Sequence, residues 1–138
     1  MGLFGTFAFS DGRWSRGAPT AVPFLLVDVH DSGFATVDHR RTDASGGRFF
    51  LGYEPRFWFD QVDASDPVDV DAEAQGFAAW AKEATGAQLD PAEVLRMLAS
   101  PSGVPPTDES VELTVDRLAA LAGLPPVEWP TAADGYAG

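Results

Sequence analysis

The chain has two histidines, His30 and His39, and both fall within residues 24–40, FLLVDVHDSGFATVDHR. The run 24–30 is apolar and rich in β-branched residues, Asp31-Ser32-Gly33 is turn chemistry, and 34–39 resumes an alternating pattern, so the stretch predicts a β-hairpin. With Ser32-Gly33 as a two-residue turn, His30 faces Ala35, Asp28 faces Val37 and Leu26 faces His39. Side chains alternate across a strand, so Leu26, Asp28, His30, Val37 and His39 then share one face, and Leu25, Val27, Val29, Phe34 and Thr36 form the core face. Two imidazoles and a carboxylate can ligate a metal, and a His–Asp pair can do acid–base work. The set Asp28, His30 and His39 is therefore the candidate catalytic or metal-binding site of an enzyme. The more ordinary reading, which we prefer, is that the three are polar residues on the solvated face of an antiparallel sheet. A one-residue slip in register would also move one strand's residues to the opposite face.

A second set of side chains suits binding rather than catalysis. Tyr53 and Trp58, with Phe49, are of the types enriched in ligand grooves and interfaces, although such rings are more often core. Asp108, Glu109, Glu112 and Asp116 crowd the start of a predicted helix and offer an acidic surface to a partner. Arg13, Arg16, Arg40, Arg41 and Arg48 lie near predicted loop ends, where they would make a small basic site. Asp63, Asp66, Asp69, Asp71 and Glu73 invite a calcium loop, but the spacing lacks the central glycine and terminal glutamate of an EF-hand. Acids complementing a helix N-terminus explain them better. There is no nucleophile elbow, phosphate loop, dinucleotide fingerprint or zinc-binding helix motif, and no cofactor is expected.

Charge separates the chain into unlike halves. Residues 1–60 hold seven acids and six bases, a net of −1, whereas residues 61–138 hold fourteen acids and three bases, a net of −11, which sum to −12. Twelve of the sixteen aromatic residues lie in the first half. A field this negative repels nucleic-acid phosphates and anionic membranes, so neither is an expected partner. It serves solubility, and it suits a basic protein partner. No apolar run approaches the ~20 residues of a membrane span, no signal peptide is apparent, and there are no cysteines. These features together predict a cytoplasmic protein.

The elements that must position these residues are predicted as follows. A strand runs over 3–9, Asp11-Gly12 turns it, and a return strand begins at 13–15. After a loop containing Gly17, Pro19 and Pro23 comes the 24–39 hairpin. A further strand covers 48–53, and beyond Glu54-Pro55 residues 56–60 form a fifth strand or continue the fourth after a kink. The pattern then turns helical. One helix spans 72–85 with Gly86 as terminator. A second opens on Asp90, Pro91 and Glu93 and runs to about Ala99. A third is capped by Thr107 or Asp108 and runs to Ala122. Residues 124–138 form an extended tail that Trp129 pins in part.

The sequence thus predicts one α+β domain spanning 1–138. An antiparallel sheet from residues 1–60 is covered on one face by about three C-terminal helices from 70–123. Phe7, Phe9, Leu25, Val27, Val29 and Phe57 are expected to pack against Phe77, Leu95, Val115 and Leu118. The functional expectation is a non-enzymatic protein-binding module of the immunity, antitoxin or regulatory type, acting through its acidic helical half. The alternative is the metal-binding or small-molecule enzyme built on Asp28, His30 and His39. The sequence leaves homo-oligomerisation open.

Overall fold

The computed structural model describes residues 2–19, 21–100, 103 and 109–130. These residues form an α+β structure, and among them are a five-stranded antiparallel sheet and four helices. The strands are β1 (Gly5–Ser10), β2 (Arg13–Arg16), β3 (Phe24–His30), β4 (Phe34–Arg40) and β5 (Gly46–Leu51), in the order β2-β1-β3-β4-β5. Asp11 and Gly12 join β1 to β2, both with positive φ, which is the geometry a tight hairpin requires.

The β3–β4 hairpin differs from the expected one by one residue. His30 pairs with Phe34, Asp28 with Thr36, Leu26 with Asp38 and Leu25 with His39. The turn is centred on Asp31 and Ser32, both with φ near +50°, and closed by the Gly33 N–H donating to the His30 carbonyl at 2.9 Å. Gly33 is then an extra residue between turn and ladder. It is glycine because of crowding, not because of its φ: a Cβ there would lie 2.2 Å from the Trp58 ring. Two non-glycine residues in the left-handed region are disfavoured locally, and contacts from elsewhere in the chain hold them. Asp31 accepts from the Gly2 N–H, Ser32 Oγ accepts from the Leu3 N–H, and the Val111 N–H donates to the Ser32 carbonyl.

This register sorts the side chains into two faces. Phe7, Phe9, Leu25, Val27, Val29, Ala35, Val37, Phe49 and Leu51 point inward and are buried. The outer face carries Asp28, His30, Phe34, Thr36, Asp38, Arg48 and Phe50. Phe34 and Thr36 therefore belong to the outer face, and Val37 and His39 to the inner one, which reverses the expected assignment of β4.

The helices follow from local signals. In α2 (Val70–Thr85) the Asp69 side chain accepts from the Ala72 N–H, Asp71 and Glu73 occupy the first turn, and Gly86 ends the helix at φ +79°. Its buried stripe is Ala74, Phe77 and Ala81 with Trp80, and Phe77 stacks on Trp80 at 5.6 Å. The Trp80 indole N–H donates to the Arg40 carbonyl, tying α2 to the end of β4. The helix α3 (Pro91–Leu95) is capped by Asp90 and ends earlier than expected. The helix α4 (Val111–Leu121) starts after Ser110; Thr107 and Asp108, the expected caps, lie outside the described residues. One hydrophobic cluster joins the inner sheet face to Phe77, Val94, Val115 and Leu118. Removing the Phe77 ring from it is a cavity-forming change worth ~3–5 kcal/mol.

Residues 56–60 form no strand. Pro55 opens a single helical turn, α1 (Pro55–Trp58), with Glu54 before it. Proline fits the first position of a helix and cannot donate to a ladder, so helix is the cheaper outcome. Phe57 is consequently exposed and not part of the core. After α4 the chain stays packed: Leu124 and Val127 are buried, and the Trp129 indole N–H donates to Asp116 at 3.0 Å while its ring meets Phe7 edge-on. The remainder of the expected tail, 131–138, lies outside the described residues.

Candidate binding surface

The register separates the three residues whose shared face motivated an enzyme. Asp28 is on the outer face, where its carboxylate accepts from Thr6 Oγ1 at 3.1 Å. His30, on the same face, is surrounded by rings: it stacks on Phe34 at 4.9 Å and meets Phe4, Phe59 and Trp58 edge-on at 4.8, 5.3 and 6.2 Å. His39 is on the opposite face and 2 % exposed. Among the described residues no group of three His, Asp or Glu side chains is arranged to hold a metal ion.

His39 is a feature the sequence reading misplaced. It sits between Phe49 and Phe77, with its ring 3.5 Å from where a Cβ on Gly76 would be. Neither ring nitrogen has a hydrogen-bond partner, and Glu73 Oε1 lies 3.7 Å from Nε2. Burial, helped by the Arg40 charge and opposed by Asp38, lowers its pKa from 6.5 to about 4. Burial also raises the Glu73 carboxyl, against a hydrogen bond from the Arg48 backbone. His39 is thus a neutral imidazole in a core, sealed from any substrate. The signal was present in the alternation Ala35, Val37, His39, which continues the buried side of β4.

The acidic residues expected to bind are largely committed within the fold. Glu109 pairs with Arg117 at 2.7 Å. Glu112 accepts from Ser32 Oγ at 3.0 Å and helps hold the β3–β4 turn. Asp116 anchors Trp129, and Asp108 lies outside the described residues. The arginines are dispersed: Arg48 is forked onto Asp38 at 2.7 and 3.2 Å, Arg41 faces Glu83, and Arg16 lies over Phe7.

The acids of 63–73 are placed differently. Asp63, Asp66, Asp69 and Glu73, with Thr36, Phe50 and Pro55, line an open cleft of about 620 Å³ between the outer side of β5 and the 63–69 segment. Among the described residues its only basic lining residue is Arg48, whose charge Asp38 already offsets. Ser65 Oγ accepts from the Arg56 N–H and so fastens this segment to α1. A partly buried pair, Arg56 Nε to Glu54 Oε1 at 2.9 Å, ties α1 to the residue before it. Tyr53 and Trp58, singled out from sequence, do come together, with ring centres 5.5 Å apart.

No family model matches the chain, and no curated protein or solved structure matches it. Among the described residues no helix is long and apolar enough to cross a membrane.

Proposed function

We propose that the protein is a non-enzymatic binding module that engages a basic protein partner, in the manner of an immunity, antitoxin or regulatory subunit. The carrying observation is the cleft in which exposed Asp63, Asp66 and Asp69, with half-buried Glu73 behind them, lie beside Arg48, whose charge Asp38 offsets. Carboxylates gathered along one concavity complement a cationic surface and accelerate its approach. In this reading the acids of the second half bind through the 63–73 segment rather than through α4, whose acids hold structure. The sheet face beneath α2, α3 and α4 serves as scaffold.

The test is affinity capture from an extract of the native host, with the intact protein as bait, at low and at high salt. A partner that is retained at low salt, released at high salt and lost with the Asp63→Lys/Asp66→Lys double variant supports the reading. Absence of any salt-sensitive partner refutes it.

A further inference from the structure

The outer sheet face next to this cleft carries an aromatic cluster built on buried Phe34 and half-buried Trp58, with two exposed rings at its edge. Phe4 is 54 % and Phe59 46 % exposed, and with Phe34 and Trp58 they surround His30 at ring distances of 4.8–6.2 Å. Phe34 and Phe59 also meet edge-on at 6.0 Å. Nothing in the fold requires Phe4 or Phe59 to be aromatic, since each leaves about half its surface in water. Exposed rings clustered in this way mark interaction surfaces.

The cluster and the acidic cleft form one surface. Phe34 and Thr36 alternate on the same side of β4, about 7 Å apart along the strand, and Thr36 pairs with Phe50, so the ladder leads from the rings into the cleft wall. The chain does the same: Phe59 is followed by Asp60, the fully exposed Val62, Asp63 and Asp66. From Phe57 to Ala81 there are six acids and no lysine or arginine. An aromatic centre with a carboxylate rim complements one kind of cation best. The guanidinium of arginine stacks on ring faces and forks onto carboxylates, whereas a lysine ammonium is a compact, strongly hydrated point charge. The chain shows the first of these contacts itself, with Arg56 lying 4.5 Å over the Phe57 ring.

We infer that this face, centred on His30 and bounded by Asp60, Asp63 and Asp66, docks an arginine-bearing segment of a basic protein. The inference rests on the basic-partner reading above and gives it a location and a preferred side chain.

The probes are two synthetic peptides of equal charge, six arginines or six lysines each alternating with glycine. Affinities are measured by fluorescence anisotropy at low salt, and the contact is mapped by amide shifts of the ¹⁵N-labelled protein. The arginine peptide is expected to bind about three- to fivefold tighter than the lysine peptide and to shift Gly33, Phe34, the 59–63 amides and the Trp58 indole. Phe4→Ser/Phe59→Ser is expected to abolish that preference. Should the double variant fail to fold, the preference and the shift map of the wild-type protein decide the matter. Equal affinities, or shifts centred on α4, overturn the docking face while leaving the basic-partner reading to the host-extract experiment. Binding of neither peptide at low salt also overturns it.

Discussion

His39 gives the most quantitative prediction. It is 2 % exposed with both ring nitrogens unpartnered, and its pKa falls from 6.5 to about 4 on folding. The unfolded chain therefore binds a proton between these values that the folded chain refuses. Unfolding is favoured there, so stability is lost as pH falls from 6.5 towards 4 and is fully retained above 6.5. A difference of about 2.5, at ~1.4 kcal/mol for each pKa unit, makes the loss about 3 kcal/mol in all. Glu73 has the opposite sign. Its folded pKa is raised above 4.5, so its unfavourable ionisation is relieved as pH falls through that folded value, which offsets part of the His39 loss at the acid end. His39→Leu isolates the histidine. The substitution keeps volume and deletes two buried, unsatisfied polar atoms, so at pH 7 it is expected to be neutral or stabilising by ~1–3 kcal/mol. Urea unfolding followed by tryptophan fluorescence, at steps from pH 7.5 to 4.5, measures both chains. Their difference should widen on acidification by about 2–3 kcal/mol. Parallel curves for wild type and His39→Leu would show that the imidazole is protonated in the fold, or solvated, and would refute the reasoning.

Three further outcomes are expected. Gly52→Ala combines a φ of +81° with a Cβ only 2.3 Å from the Gly33 carbonyl oxygen, so it should destabilise by at least ~1–3 kcal/mol in thermal unfolding; an unchanged melting temperature would contradict the backbone described at the β5–α1 junction. Asp116→Ala removes the acceptor of the Trp129 indole and should cost ~1–2 kcal/mol, with faster hydrogen exchange at that indole as the site-specific readout. Arg56→Ala leaves the Glu54 carboxylate, 1 % exposed, without its ion-pair partner and should cost ~3–5 kcal/mol. Glu54→Met should cost much less, and a reversed order would show that the pair is not buried in solution.

The strands, their antiparallel sequence through β5, and the helices α2 and α4 were legible because each depends on neighbours in the chain. Alternation marks β3, Asp11-Gly12 marks the first turn, and a stripe at helical spacing ended by Gly86 marks α2, which begins two residues earlier than its expected start at 72. The same local logic failed at Pro55. An aromatic run was read as strand where the proline begins a helical turn, and only the contacts of Arg56 with Glu54 and Ser65 show why that turn persists.

The site was less legible, for a reason of scale. A hairpin's register turns on a single residue, and a slip of one exchanges its faces. Ser32-Gly33 was the reasonable choice for a two-residue turn because glycine accepts positive φ at least cost. The fold instead places Asp31 and Ser32 there, held by Gly2, Leu3 and Val111, and uses Gly33 to admit the Trp58 ring. Those partners lie about 25 to 80 positions away along the chain, beyond any local pattern. By itself the sequence determined the segregation of aromatic from acidic residues, the two classes of secondary structure and the Gly86 and Asp90 helix ends, all of which follow from residue type and short-range spacing. Only the tertiary structure decided that His39 is buried while His30 lies in an aromatic cluster edged by exposed Phe4 and Phe59, and that Glu112 and Asp116 of α4 are tied to Ser32 and Trp129 while Asp63 and Asp66 lie exposed along the cleft. Both depend on which long-range contact claims a side chain first.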